Sequence, residues 1–401
     1  MKVLIVHNRY QQRGGEDAVV ASERALLEKC GVKTALFEEN NDHIRGIGSS
    51  LKAAASSFYS IRTSNKITDA ITAFKPDVVH VHNWFPTLSP AIFGICRRLE
   101  APVVHTLHNY RLLCVKASLY RDGRPCEDCI GKSLRLPGIV HGCYRESRCG
   151  SAAATASMLL HWRLGTWSYA VDRFIALSQF AHDKLVQGGL PAEKIVVKPN
   201  ALDYDPGARG GAGGYVAFVG RFTDEKGIPT LLDCWRNSKD LPLLRIVGSG
   251  PLEKEVREAA SQLNNVEWLG PLSSDRTVEV IGDATALICP SHWYEGMPRV
   301  AVEAFAVGTP IIASRLGTFA EMIDEGHTGS LFEATNGSAL AASIRNYIGS
   351  PLQRMRPQAR RQFELKYSGE ANVAKLLEIY KEAQHSKCGP VRADLDPVRA
   401  A

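Results

Sequence analysis

The chain has 401 residues, enough for two domains that each bury a hydrophobic core. Its net charge of +6 is mild: it permits contact with phosphorylated ligands or an anionic membrane and gives no reason to expect nucleic acid. No apolar run approaches the ~18 residues of a membrane-spanning helix. The apolar run at residues 2–6 is too short for a secretory signal, so we expect a cytoplasmic protein whose ten cysteines are thiols or metal ligands.

The first element is a predicted parallel strand at residues 2–7. It leads to Gly14, Gly15 and Glu16, and a helical pattern follows through Cys30. A glycine pair between strand and helix lets a ligand approach backbone amides at a helix N-terminus, where anions bind. The plainer interpretation of the two glycines is a tight turn.

The segment 44–66 has apolar residues near helical spacing, flanked by lysines and arginines. This pattern fits an amphipathic segment on an acidic lipid surface. It fits a helix packed on the sheet equally well.

Two further predicted strands, at 77–83 and 102–109, end in histidine and asparagine. Ligands gather at the carboxyl ends of strands in an open parallel sheet. His80 and His82 share a face because side chains alternate along a strand, and with His105 they could ligate a metal, as in a hydrolase. Buried, hydrogen-bonded histidines are the plainer interpretation, because no cluster of carboxylates adjoins them.

The next segment is rich in cysteine. Cys126 and Cys129 form a Cys-x-x-Cys pair, with Cys114 before it and Cys143 after it. Four thiolates could hold a structural zinc ion and stiffen a long loop. An iron–sulfur cluster, or unligated thiols in an irregular loop, would leave the same pattern.

The second half repeats the alternation, with predicted strands at 215–219, 243–247, 266–269, 286–289 and 310–313. Repetition in both halves predicts an α/β protein of two doubly wound parallel domains facing a cleft. The expected boundaries are 1–199 for the N-terminal domain with a cysteine-rich insert at 111–150, 200–214 for a flexible linker, 215–368 for the C-terminal domain, 369–385 for a helix crossing to the first domain, and 386–401 for a disordered tail.

Two motifs in the second half carry candidate chemistry. Gly220, Arg221 and Lys226 lie on a turn after a strand, where a guanidinium and an ammonium could contact phosphate. Glu295 lies on a strand-to-helix turn, and Glu303 falls in an apolar helix, where a buried carboxylate needs a partner such as a sugar or ribose hydroxyl. Each motif alone fits solvated surface residues; together they favour a ligand site.

Both motifs resemble the C-terminal half of the retaining glycosyltransferases of family 4, which have the GT-B fold of two Rossmann-like domains. The resemblance implies that Arg221 and Lys226 stabilise the leaving diphosphate, that Glu295 holds donor-sugar hydroxyls, and that Glu303 holds the ribose. It further implies that His108 reaches the donor sugar. The remaining residues that it places at the substrates are Gly14, Gly15, Glu16, Gly220, Gly250, Gly296, Met297 and Pro298.

The resemblance also implies the partners. The donor is a nucleotide-diphosphate sugar, and the acceptor is a glycan or lipid-linked saccharide, as in surface polysaccharide synthesis at the inner membrane. No divalent metal is expected in catalysis, because the Asp-x-Asp pairs at 203–205 and 394–396 lie in linker and tail. The alternatives are a GT-B nucleotide-sugar epimerase, a non-enzymatic sugar-binding protein and the metal-dependent hydrolase.

Overall fold

A computed structural model describes residues 1–9, 14–40, 61–348 and 350–386. The chain divides into two units. The first holds residues 1–118 and 127–199 together with the described residues from Asn372 onward, and the second holds residues 119–126 and 200–371. The chain therefore passes from one unit to the other after residues 118, 126, 199 and 371.

The first unit is built on a parallel sheet of six strands in the order β2-β1-β3-β4-β7-β8. Its strands are β1 (Lys2–Arg9), β2 (Lys33–Asn40), β3 (Val78–Asn83), β4 (Val103–Leu107), β7 (Arg173–Ala176) and β8 (Ile195–Val197). Every residue of β3 and β4 is buried, which is typical of central strands covered on both faces.

Helices connect these strands. They are α1 (Gly15–Lys29), α2 (Ile61–Phe74), α3 (Ala91–Arg98), α4 (Leu136–Val140), α5 (Arg148–Arg163), α6 (Thr166–Tyr169), α7 (Gln179–Gln187) and a 3-10 turn at Ala192–Lys194. Side-chain oxygens of Ser147 and Ser178 accept from backbone amides and fix the starts of α5 and α7.

The second unit has its own parallel sheet of six strands, in the order β11-β10-β9-β12-β13-β14. Its strands are β9 (Tyr215–Val219), β10 (Leu243–Val247), β11 (Val266–Gly270), β12 (Ala286–Cys289), β13 (Ile311–Ser314) and β14 (Gly329–Phe332). Its helices are α8 (Ile228–Arg236), α9 (Glu253–Gln262), α10 (Ser274–Asp283), α11 (Arg299–Ala306), α12 (Gly317–Met322), α13 (Gly337–Tyr347), α14 (Ser350–Gln362) and a π-helical turn at Phe363–Tyr367.

A short antiparallel hairpin, β5 (Tyr120–Arg121) with β6 (Arg124–Pro125), also belongs to the second unit. It comes from the cysteine-rich segment, whose other residues belong to the first unit. The spacing of the cysteines gave no sign of this division. The hairpin places Cys126 in the second unit, and Cys114, Cys129 and Cys143 lie in the first.

The helix α15 (Gly369–His385) follows the second unit in sequence and packs on the first from Asn372 onward. The side-chain carbonyl oxygen of Asn372 accepts from Lys198 Nζ at 2.9 Å, and the Tyr380 hydroxyl lies 2.8 Å from His80 Nδ1. The amide of Asn372 also donates to the carbonyl oxygen of Pro199 at 2.6 Å. Polar side chains in the interior of the first unit therefore depend on this helix.

The glycine-rich segment 207–214 forms the end of the linker predicted at 200–214. It belongs to the second unit, where Gly211 and Gly213 donate to the carbonyl oxygens of Gly282 and Asp283. Arg356, buried on α14, donates to the carbonyl oxygen of Arg209. These hydrogen bonds attach the segment to the rest of the second unit. The predicted amphipathic segment 44–66 is described only from residue 61, where α2 begins, and the predicted tail lies almost wholly outside the described residues.

Candidate functional site

The loop after β9 brings Lys226 against Glu295. The Lys226 Nζ lies 2.8 Å from Oε1 and 3.0 Å from Oε2 of Glu295, whose side chain is almost fully buried. The Ser291 hydroxyl donates to the same Oε1 at 2.7 Å. A carboxylate has about four acceptor positions, so these three bonds leave one on Oε2. An ammonium has three donors, so Lys226 keeps one as well.

Backbone geometry brings this loop close to the end of β12. Gly227 has φ +75°, and a Cβ there would lie 1.8 Å from the carbonyl oxygen of Pro290. No side chain fits at that distance. The backbone amide of His292 then donates to the carbonyl oxygen of Glu225 at 2.9 Å, which joins the Arg221–Lys226 loop to the Glu295 turn.

Arg221 lies on the same loop. Its side chain is exposed, and no described residue forms an ion pair with its guanidinium. Gly248 and Gly250, at the end of β10, pack directly on this loop: a Cβ at Gly248 would lie 2.0 Å from the carbonyl oxygen of Gly220. The loop is therefore supported from two sides while its arginine remains accessible.

Glu303 lies on α11, eight percent exposed, and Arg299 Nε contacts its Oε1 at 2.9 Å. The sequence predicted a partner or ligand for this carboxylate, and Arg299, one turn earlier, is a partner. Pro298 is the N-cap residue of α11, and the carbonyl oxygen of Met297 accepts from the Asn200 amide at 3.2 Å. Asn200 was not predicted as a site residue.

Three other supporting residues were missed. Thr318, on α12, donates its hydroxyl to the carbonyl oxygens of Glu295 and Gly296 at 2.8 and 3.0 Å. Ser291 contacts Glu295 as described above, and only its position within the motif could have signalled it. The Tyr120 hydroxyl, on the hairpin, donates to the carboxylate of Asp224 in the Arg221–Lys226 loop. Nothing in the local sequence of Tyr120 or Thr318 indicates these long-range contacts.

In the first unit, Gly14 is the N-cap residue of α1, and Gly15 is the first residue of that helix. A Cβ at either glycine would meet no atom within 4 Å, so packing does not require glycine there. The carboxylate of Asp17 accepts from the Gly14 backbone amide at 2.8 Å and lies 2.8 Å from His7 Nε2. Glu16 lies beside it, with Oε1 at 3.9 Å from His7 Nδ1.

His108 lines a cavity at the carboxyl ends of β3 and β4. Other residues lining it include His82, Asn83, Phe85, Asn109 and Arg111. His108 Nε2 lies 2.9 Å from His82 Nδ1, and the two rings stack with centroids 5.2 Å apart. Burial lowers the pKa of His108 to about 3, so its imidazole is neutral near pH 7.

Behind this cavity lies a buried polar cluster that the sequence did not predict. Lys198 Nζ contacts Glu23 Oε1 at 2.5 Å, and neither side chain reaches solvent appreciably. Burial raises the pKa of Glu23, but the Lys198 ammonium and nearby histidines lower it further, so the carboxyl is ionised. Burial lowers the pKa of His80 and of His82 well below the ordinary value.

Glu23, His80 and His82 present ligand atoms within 4.8 Å of one another, so two of the three histidines of the hydrolase hypothesis converge on a carboxylate, and His105 is not part of this group. Their hydrogen bonds argue against a metal centre. Both ring nitrogens of His80 have hydroxyl partners, on Tyr380 and Thr106, at 2.8 Å. The Lys198 ammonium already supplies the cation beside Glu23, and a divalent ion there would be repelled by it.

The four cysteines predicted as zinc ligands do not belong to such a group within the described part of the chain. Cys114 and Cys129 are buried, and Cys129 Sγ lies 3.9 Å from the carbonyl oxygen of Arg135. Structural zinc stays a prediction. Metal analysis of protein purified without chelator tests it, and a content below about a tenth of an equivalent would contradict it.

Among the described helices, none combines the length and the apolar character that crossing a membrane requires.

Comparisons with known proteins agree with this architecture. A family model described as Glycosyltransferase Family 4 matches residues 6–206, half of the chain, and one described as Glycosyl transferases group 1 matches residues 209–362. An uncharacterized glycosyltransferase of Methanocaldococcus jannaschii is 28% identical over 215 residues, which span 53% of this chain and only 60% of that relative. A glycogen synthase of Mycobacterium tuberculosis is 25% identical over 332 residues, spanning 79% of this chain and 72% of that protein.

Among solved structures, HepE of Anabaena in complex with UDP has a TM-score of 0.63 at 16% identity. That match covers 95% of this chain and 100% of HepE. Two doubly wound parallel domains and this neighbour confirm the GT-B fold predicted from the sequence. The chain therefore belongs to the glycosyltransferases of the GT-B fold, with a Glycosyltransferase Family 4 domain over its first half and a group 1 glycosyl transferase domain over its second.

Proposed function

We propose that this glycosyltransferase moves a hexosyl group, with retention at C1, from a nucleotide-diphosphate sugar to a glycan or lipid-linked acceptor in surface polysaccharide synthesis. The observation that carries the proposal is the Lys226–Glu295 pair, which keeps one donor and one acceptor position for a ligand. HepE, a structural neighbour, was solved with UDP, which supports a nucleotide-sugar donor.

The chemistry follows from charge. Departure of a nucleoside diphosphate from C1 builds negative charge on the β-phosphate. Lys226 and the exposed Arg221 would stabilise that charge more in the transition state than in the bound donor, which accelerates the reaction. Glu295, through its remaining acceptor position, would bind a sugar hydroxyl beside the phosphate.

The other roles follow the resemblance. Glu303 would bind the ribose through Oε2, because its Oε1 is taken by Arg299. His108 would contact the donor sugar, and Gly14, Gly15 and Glu16 would contact the acceptor and the diphosphate. No side chain is proposed as a covalent nucleophile; retention is proposed to follow a front-face route in which the leaving phosphate accepts the acceptor's proton.

The test is a donor panel. Purified full-length protein is incubated with UDP-, GDP-, ADP- and dTDP-hexoses, and thermal stabilisation and release of nucleoside diphosphate are measured. We expect one donor to stabilise the protein and Arg221→Ala to lower release by about a hundredfold, the size of one lost transition-state contact.

The control is Arg236→Ala, which removes an exposed arginine at the end of α8. Equal release by wild type and Arg221→Ala would refute the assigned site, and inactivity with all four donors would refute the proposed donor class. Release of an isomerised free sugar would favour an epimerase. The anomeric configuration of the product, read by NMR with an active acceptor, decides retention.

A further inference from the structure

The buried cluster of the first unit contains a chain of contacts from Glu23 through His82 to His108. Glu23 Oε2 faces His82 Nε2 at 3.5 Å, and His82 Nδ1 lies 2.9 Å from His108 Nε2. Neither Glu23 Oε2 nor His82 Nε2 forms a hydrogen bond with any described residue, so the contact between them is electrostatic. Glu23 Oε2 is closer to His82 Nε2 than to His80 Nδ1, which lies 3.9 Å away.

The protonation of each group follows in sequence. Glu23 is an ionised carboxylate, so both of its oxygens only accept. A lone pair on His82 Nε2 would face that negative charge, and in a buried site this is strongly unfavourable. His82 therefore carries its proton on Nε2. Because its imidazole is neutral, Nδ1 is left as an acceptor.

The same reasoning applies to the second ring. His82 Nδ1 accepts, so the proton between the two rings belongs to His108 Nε2. His108 is also neutral, so its Nδ1 carries a lone pair. No described residue forms a hydrogen bond with that Nδ1, and His108 lines the cavity at the ends of β3 and β4.

We propose that Glu23 and His82 are positioning residues that fix His108 in its Nε2–H tautomer, so that Nδ1 accepts a hydrogen bond from a sugar hydroxyl in this cavity. The reverse tautomer would present an N–H group at Nδ1. That group could donate a hydrogen bond to a hydroxyl oxygen, but it could not accept one from a hydroxyl proton. The relay thus selects the direction of one hydrogen bond to the substrate. The functional consequence of this relay rests on the proposed transferase activity. The tautomers of His82 and His108 do not depend on that activity.

Other groups around the relay leave this assignment unchanged. Lys198 contacts Glu23 Oε1, the oxygen that does not face His82. His80 lies 3.9 Å from Glu23 Oε2, but both of its nitrogens have hydroxyl partners. His105 Nδ1 pairs with the carbonyl oxygen of Val81 at 2.9 Å, and His7 pairs with Asp17.

The direct test is imidazole 15N NMR on the full-length protein labelled at histidine, at pH 7.5, without any substrate. Protonated and unprotonated ring nitrogens have well-separated chemical shifts, and His82→Gln and His108→Gln variants assign the signals. We expect both His82 and His108 to be protonated at Nε2 alone. An Nδ1–H form of either ring, or an imidazolium, would overturn the proposal.

The functional test removes the anion without leaving a buried charge. The double variant Glu23→Gln with Lys198→Met replaces both members of the ion pair, because Glu23→Gln alone would strand the Lys198 ammonium. We expect mixed tautomers at His82 and His108 and a donor KM about fivefold to tenfold higher, with kcat less affected, as for one lost hydrogen bond.

The matched control is Tyr380→Phe, which removes one hydrogen bond from the same cluster but from His80, outside the relay. It should keep both Nε2–H tautomers and the donor KM. If Tyr380→Phe raises the donor KM as much as the double variant does, the effect comes from general destabilisation of the cluster, and the positioning role is overturned. If the tautomers are as expected but no nucleotide sugar is turned over, the relay stands and the proposed function falls.

Discussion

The Glu295 carboxylate accepts three hydrogen bonds, and their donors come from separate parts of the second unit. Lys226 approaches it from the loop after β9, and Ser291 from the end of β12. The sequence drew attention to Lys226 and to Glu295 individually, because each lies in a recognisable motif. Their ion pair spans 69 residues of sequence, and no local pattern encodes a contact between two loops of a sheet.

We expect Glu295→Gln to lower turnover of the donor by about a hundredfold, since it removes the negative charge that pairs with Lys226 and replaces one of the two acceptor oxygens with a donor group. Ser291→Ala should have a smaller effect, because it removes one of the three bonds and keeps the charge. Steady-state kinetics with the donor found above measures both. The control is Glu267→Gln, whose carboxylate pairs with Arg245 on the surface of the sheet. Equal losses in Glu295→Gln and Glu267→Gln would contradict a specific role.

A second prediction at the scale of single residues concerns Gly227. Its φ of +75° disfavours any other residue, and a Cβ would also collide with the carbonyl oxygen of Pro290. Gly214→Ala is a matched control in the same unit, with φ +69° and no atom within 4 Å of the added Cβ. We expect Gly214→Ala to cost about 1 kcal/mol from backbone strain alone. Gly227→Ala should cost several times more, and urea unfolding measures the difference. Equal costs would mean that the loop moves aside freely.

At the scale of elements, apolar patterns located the buried strands well. The predicted limits of β9, β10 and β12 coincide with the observed ones. The edge strands β2 and β14 were missed. β2 is only half-buried and mixes charged with apolar residues, and β14 has four residues that begin with glycine, so neither has the continuous apolar run of a central strand.

The hairpin β5–β6 was also missed, and it contacts the candidate donor loop. Because the Tyr120 hydroxyl donates to Asp224, we expect Tyr120→Phe to loosen the Arg221–Lys226 loop and to raise the donor KM several-fold. Hydrogen exchange of peptides covering residues 221–227 should accelerate in parallel. Tyr347→Phe is the control, since no described residue bonds to the Tyr347 hydroxyl. Unchanged exchange in Tyr120→Phe would mean that the hairpin does not support this loop.

At the scale of the whole molecule, the first unit contains most of the buried histidines described above. Burial lowers the pKa of His105 to about 4 and that of His108 to about 3, and it lowers those of His80 and His82 as well. In the unfolded chain these groups bind protons near pH 6.5. Between that pH and the folded pKa values the unfolded state therefore holds more protons, and stability falls as pH falls.

The expected loss is roughly 1 kcal/mol for each of these histidines at one pH unit below 6.5. Glu23 adds to it at lower pH: its pKa is lowered in the folded state, so its contribution is present above its ordinary pKa and disappears as pH falls through the folded value. In the second unit, burial lowers the pKa of His292, so a smaller loss is expected there. Hydrogen exchange at pH 7.5 and 5.5, corrected for the intrinsic rate, should show β3 and β4 losing more protection than β9 and β12. Equal losses would contradict this assignment.

The four crossings of the chain between units have a consequence for synthesis on the ribosome. Asn372 and Tyr380, which complete the buried cluster of the first unit, are made after every residue of the second. Until they emerge, Lys198 lacks one of its hydrogen-bond partners, and His80 lacks one of its two hydroxyl partners. The first unit therefore cannot complete its fold before the second has been synthesised, unlike a purely N-terminal domain, which can fold first during translation. The second unit can close while the first still waits for its last helix, and a chain truncated at residue 371 would contain every residue of the second unit but would lack the helix that completes the polar interior of the first.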